Sequence, residues 1–150
     1  MIATTIILLL ACVVIGFAVL QTTQTLRLIK QRKQESSRVV GRINQFYSLF
    51  NQQNWKGCFD TLDPKLNGKI DFLWYNQNMA HFYKAYGPIQ ILDVKVSLHL
   101  DVPSNMWNET NFAYAKVVWK DKHNRKQTFQ ERWVKTPKDG NWYTRKAGLI

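Results

Sequence analysis

The chain has 150 residues, with 21 Lys and Arg against 10 Asp and Glu, for a formal net charge of +11. That length fits one globular domain plus whatever the first residues form. Two Cys exclude a disulfide framework, and no stretch carries a catalytic or metal motif, so no cofactor and no metal are expected.

Residues 2–20, IATTIILLLACVVIGFAVL, contain no charge, Pro, Asn or Gln. At ~1.5 Å per residue the run spans roughly 28 Å, close to the ~30 Å hydrocarbon core of a bilayer. The sequence therefore predicts an uncleaved single-pass transmembrane helix over 1–21. A secretory signal would carry Lys or Arg ahead of the run and small residues at its end. Here no basic residue precedes it, and Val19-Leu20-Gln21 is a poor cleavage site. Leu9-Leu10-Ala11-Cys12 resembles a bacterial lipoprotein box, which implies lipidation at Cys12, but the apolar run continues well past that Cys.

A polar, basic connector follows at 22–37. It lacks Gly and Pro, so it is able to prolong the anchor helix. Arg27, Lys30, Arg32 and Lys33 stand just past the apolar run, where basic side chains meet anionic headgroups and favour the cytoplasmic side. The expected location is thus a membrane, with the remaining domain, 38–150, on its cytoplasmic face; the extracytoplasmic side is the alternative.

Within that domain Val39, Ile43, Phe46 and Phe50 recur at +4, +3 and +4, an amphipathic helix over roughly 37–52. Asn54 is placed to cap a short second helix with Trp55, Phe59 and Leu62 on one face. Cys58 falls on an apolar face and reads as a small buried hydrophobe. Asp63-Pro64 opens another turn and Asn67-Gly68 breaks it. Asp71 is a natural N-cap for a third helix that stops at Gly87-Pro88. Phe72, Tyr75, Met79, Phe82 and Tyr86 form one stripe on it, expected to face the core. Trp74, Asn78, His81 and Ala85 form a neighbouring line of mixed polarity, where a pocket rim or partner surface would lie.

After Pro88 the period falls from 3.6 to 2. Leu92, Val94, Val96, Leu98 and Leu100 alternate with polar residues, a half-exposed strand. Further strands are expected at 112–120, 127–135 and 142–147, joined by polar turns, with Asp139-Gly140 suited to a tight hairpin. Short connections imply an antiparallel meander. The predicted fold is α+β: a transmembrane helix, then three helices packed on a curved four-stranded antiparallel sheet.

This order of elements resembles the nuclear-transport-factor-2-like superfamily over roughly residues 38–147. The resemblance rests on the helix RINQFYSLFNQQNW, the segment WKGCFDTLDPKL, the aromatic helix ending in Tyr86-Gly87-Pro88, and the hairpin KDGNWY. It implies a cone of sheet around helices with a pocket at the open end. Some members use that pocket for isomerase- or lyase-type chemistry, with an acidic or His base; His81, His99 and Asp101 match by residue type alone. With its single anchor the chain also resembles inner-membrane assembly proteins of bacterial conjugation and type IV secretion machines, which place the domain outside the cytoplasm.

Three functions follow as expectations. The first is a non-catalytic interaction module, an accessory or assembly subunit of a membrane complex, with Trp74, Asn78, His81 and Trp107 as contact residues and self-association open to it. Its partners would be the lipid bilayer and other subunits. The second is a small-ligand binder or enzyme using the cone. The third is anionic-surface binding by the basic last third, where Lys120, Lys126, Arg132 and Arg145 interleave with Phe129, Trp133 and Tyr143. Beside an anchor, a membrane surface or acidic protein suits that zone better than nucleic acid. Asn108-Glu109-Thr110 is a glycosylation sequon only in a eukaryotic secretory setting.

Overall fold

The computed structural model describes residues 2–102 and 110–145, with side chains from residue 13 onward. The chain divides into two compact units, Met1–Glu35 and Ser36–Ile150. Among the described residues four helices precede four strands: α1 (Ile2–Asn51), α2 (Trp55–Asp60), α3 (Pro64–Asn67), α4 (Phe72–Tyr86), β1 (Gln90–His99), β2 (Phe112–Lys120), β3 (Lys126–Lys135) and β4 (Trp142–Thr144). The class is α+β, and the strands form one antiparallel sheet in the order β1-β2-β3-β4.

The first unit is the start of α1. Its described large apolar side chains, including Val13, Phe17, Leu20, Leu26 and Ile29, are each more than half exposed. The membrane-spanning helix expected over 1–21 is not supported: among the described residues no helix is long and apolar enough to cross a membrane. The described side chains of the apolar run begin at Val13, and Gln21-Thr22-Thr23-Gln24-Thr25 follows Leu20. The connector is helical, since nothing in 22–37 breaks the backbone pattern.

In the second unit the helices number four rather than three. The helix expected at 37–52 is the end of α1, and Asp63-Pro64 starts a helical turn of its own. Asp63 accepts the Lys65 N–H at 3.0 Å and Pro64 sits in the first turn, where its missing N–H is harmless. Val39, Ile43, Phe46, Tyr47 and Phe50 of α1 are buried. They join Cys58, Phe59 and Leu62, the inner face of α4, and Ala113, Ala115, Val117, Trp119 and Trp133 of the sheet in one core. Trp119, Trp133 and Trp142 are at most 1% exposed. At ~25 cal/mol per Å² and ~150–250 Å² per ring system, each contributes roughly 4–6 kcal/mol of gross burial energy.

The α4 stripe is core at its centre and open at its start. Tyr75, Met79 and Phe82 are buried, whereas Phe72 is 38% exposed. Phe72 is the first helical residue, and its ring meets the Phe59 ring of the core at 5.1 Å. The stop signal works by contact rather than by torsion. Gly87 has extended backbone (φ −76°, ψ 157°), but a Cβ there would lie 2.4 Å from Tyr83 Cδ2.

Within the sheet, β1 shifts register between Ile91 and Asp93, a bulge that bends the strand. β4 is shorter than expected. It is tied to the helical layer by Asp63 N–H to Thr144 C=O, by Thr144 N–H to Thr61 C=O (both 2.9 Å), and by the Arg145–Asp63 ion pair at 3.0 Å. The β2–β3 and β3–β4 turns are each held by one carboxylate. Asp121 accepts from His123 N–H, Arg125 N–H and Arg125 Nε. Burial raises the Asp121 pKa, but those Arg125 and His123 donors outweigh it and hold the carboxyl below its usual range. Asp139 accepts from Thr136, Tyr143 and Asn141, which likewise hold it low, and Gly140 takes φ +68° beside it.

Candidate partner-binding site

The expected contact residues begin where α4 begins. Asp71 caps the helix by accepting the Trp74 N–H at 2.8 Å, which fixes the direction of the first turn. Trp74 is 51% exposed, and the Asn78 amide donates to its carbonyl at 2.8 Å. Asn78 is half-buried and His81 exposed, one and two turns along. The +4, +3 spacing puts all three on one face of α4. Trp107 lies outside the described residues. Leu73 was not expected here; it is 62% exposed beside Trp74. Its signal was negative: it belongs to neither stripe of the helix, so nothing in the core claims it. Phe72, Leu73 and Trp74 together make a run of exposed large apolar side chains on the surface of the second unit.

The interior holds a second constellation that sequence reasoning missed. Glu131 on β3 is 3% exposed. Tyr47 of α1 donates its hydroxyl to Glu131 Oε1 at 2.6 Å, and the Trp133 indole donates to Oε2 at 3.0 Å. Burial, then the neighbouring Glu131 charge, push the Tyr47 phenol well above its ordinary value. The buried Trp119 Nε1 lies near enough to the Tyr47 oxygen to favour its ionised form, yet it reaches no hydrogen-bond geometry. Strand alternation was the available clue: Phe129, Glu131 and Trp133 share one side of β3, so a carboxylate stands on a face otherwise made for the core. The Tyr47 ring also lines an open groove of about 450 Å³ walled by Asn44, Ser48, Asn51, Gln52 and Gln90.

The residues named for catalysis by type do not assemble. His99 stacks on Phe112 at 4.7 Å. Asp101 takes φ +54°, and its N–H donates to Asn111 Oδ1 at 2.9 Å. Cys58 is fully buried, and burial pushes its thiol up to about 12, so it stays protonated and unreactive. Among the described residues no three His, Cys, Asp or Glu side chains are grouped to hold a metal ion.

A scan against protein-family models finds no match to the chain, and searches of the curated proteins and of the solved structures return none either.

Proposed function

We propose that the chain is a non-catalytic interaction domain, tethered by a single-pass N-terminal anchor, that serves as an accessory or assembly subunit of a membrane protein complex. The observation that carries this reading is the exposed run Phe72-Leu73-Trp74. Large apolar side chains rimmed by polar ones mark contact surfaces, and Trp is the residue most enriched among those that dominate binding energy. Asn78 and His81 supply the polar rim. The order of helices first and meander after supports a nuclear-transport-factor-2-like reading of the second unit. The anchor reading rests on the sequence of residues 2–20, and on Val13, Val14, Ile15, Phe17, Val19 and Leu20, which are 57–68% exposed. A helix of that kind needs lipid or protein around it. Arg27, Lys30, Arg32 and Lys33 then sit at the headgroups and favour the cytoplasmic side.

The test is purification of the tagged full chain in mild detergent, with the ratio of each co-purifying chain measured for the wild type and for Leu73→Ala/Trp74→Ala. The expected result is a stoichiometric partner that the double variant loses while its melting temperature holds. A chain that comes out alone, or a partner indifferent to the double variant, overturns the reading.

A second reading has one observation behind it. Tyr47 connects the groove at Asn44–Ile91 to the buried Glu131. A small polar ligand in that groove would shield the Tyr47–Glu131 hydrogen bond, and soaking candidate ligands with a melting-temperature readout would find it.

A further inference from the structure

The outer face of the sheet, opposite the core, carries a pattern that stability alone does not account for. Lys95 on β1 stands directly across from Lys116 on β2, and Lys120 on β2 directly across from Lys126 on β3. Like charges at directly opposed positions destabilise a sheet. Lys95 has one weak contact, 3.9 Å to Asp93. Among the described residues Lys116, Lys120 and Lys126 have no ion-pair partner. Farther along the same face Tyr114 is 37% exposed, with the Arg132 guanidinium 5.9 Å from its ring centre.

We propose that this face of the second unit binds the phosphate groups of anionic lipid headgroups. The lysines are spread in two dimensions. Lys116 and Lys120 are roughly 13 Å apart along one strand at ~3.3 Å per residue, and three strands at ~4.8 Å separation widen the array. A surface of headgroups matches such an array, whereas a single nucleic-acid strand or an acidic peptide presents its charge in a line. Tyr114 adds an amphipathic ring of the type that settles at the headgroup level. The ring faces that a nucleic acid would stack on are already engaged: Phe112 meets His99 at 4.7 Å and the Arg132 guanidinium at 5.0 Å. The choice of lipid over other phosphates rests on the anchor proposed above, because tethering holds a bilayer at high effective concentration. Opposed lysines that repel each other in the free sheet gain a shared counter-charge on docking.

The test uses the full chain in nanodiscs of phosphatidylcholine, with or without phosphatidylserine, and reads lysine acylation by mass spectrometry. Lys95, Lys116, Lys120 and Lys126 should react several-fold more slowly in the phosphatidylserine discs, with the difference closing at high salt. Lys138, exposed in the β3–β4 turn, should not change. Each of Lys116→Gln and Lys126→Gln should weaken binding to phosphatidylserine vesicles about fivefold. Equal reactivity in both discs overturns the proposal. So does protection by a single-stranded oligonucleotide but not by phosphatidylserine. Failure of the chain to stay with neutral discs would sink the anchor alone; protection by added phosphatidylserine vesicles would still decide the face.

Discussion

The two faces of the β1–β3 sheet handle charge in opposite ways. The inner face, with Ala113, Ala115, Val117, Trp119 and Trp133, admits one carboxylate, Glu131, and gives each of its oxygens a donor. The outer face sets lysine against lysine, and among the described residues Lys116, Lys120 and Lys126 have no ion-pair partner. A buried charge must be met within the fold, because removing one partner strands it in a poor dielectric. An exposed charge is left to solvent at little penalty, so it is free to serve an outside partner. Glu131 therefore reads as structure, locking α1 to β3, and the lysines are left free for the lipid contact proposed above.

The sharpest way to break this contrast is Trp133→Ala against Tyr114→Ala. The first removes a fully buried ring and a Glu131 donor and should cost about 3–5 kcal/mol. The second should cost well under half of that in a denaturant titration. Next comes Tyr47→Phe, which leaves Glu131 short of its hydroxyl donor and should cost about 1.5–3 kcal/mol. If Tyr47→Phe proves neutral, Glu131 is reached by water and the inner face is not closed.

Two buried phenols, Tyr47 and Tyr75, set an alkaline limit. Burial raises the Tyr47 and Tyr75 pKa values above the ordinary value of 10.0. In the unfolded chain they ionise near that pH while the folded ones stay neutral, so stability is full below pH 10 and falls as pH rises beyond it. Melting temperatures measured between pH 8 and 11 should decline only in the upper part of that range. Tyr75→Phe should flatten the decline; an unchanged slope would mean that Tyr75 is not the group titrating. The smallest effect has the opposite sign. Lys116→Glu turns a repelling cross-strand pair into an attracting one and should stabilise the sheet by about 0.2–1 kcal/mol, while weakening any hold on anionic lipid. A loss of stability instead would show that Lys95 and Lys116 do not oppose each other in solution.

Much of this organisation was legible in residue order. Period-2 alternation in β1 to β3 and the Asp71 and Gly87-Pro88 boundaries of α4 are local signals, and local chemistry sets them. What escaped depends on long-range pairing. The register that brings Lys120 across from Lys126 is fixed by the 121–125 turn, which Asp121 organises with its own carboxylate. The partner of Glu131 lies 84 residues away on α1, beyond any spacing rule. Phe72 matched its stripe but not its burial, because a first-turn residue lies at the edge of the packed surface. Trp74, Asn78 and His81 fell where helical spacing put them, whereas Leu73 became visible only through what it fails to touch.

The interaction role proposed for the chain requires that the start of α4 meet a protein. A photo-crosslinking residue placed at Trp74 in the full chain, in cells, with the same residue at Lys116 for comparison, tests this directly. A discrete protein adduct is expected from position 74 and not from position 116. No adduct at position 74, or the same adduct with equal yield at position 116, would contradict that role.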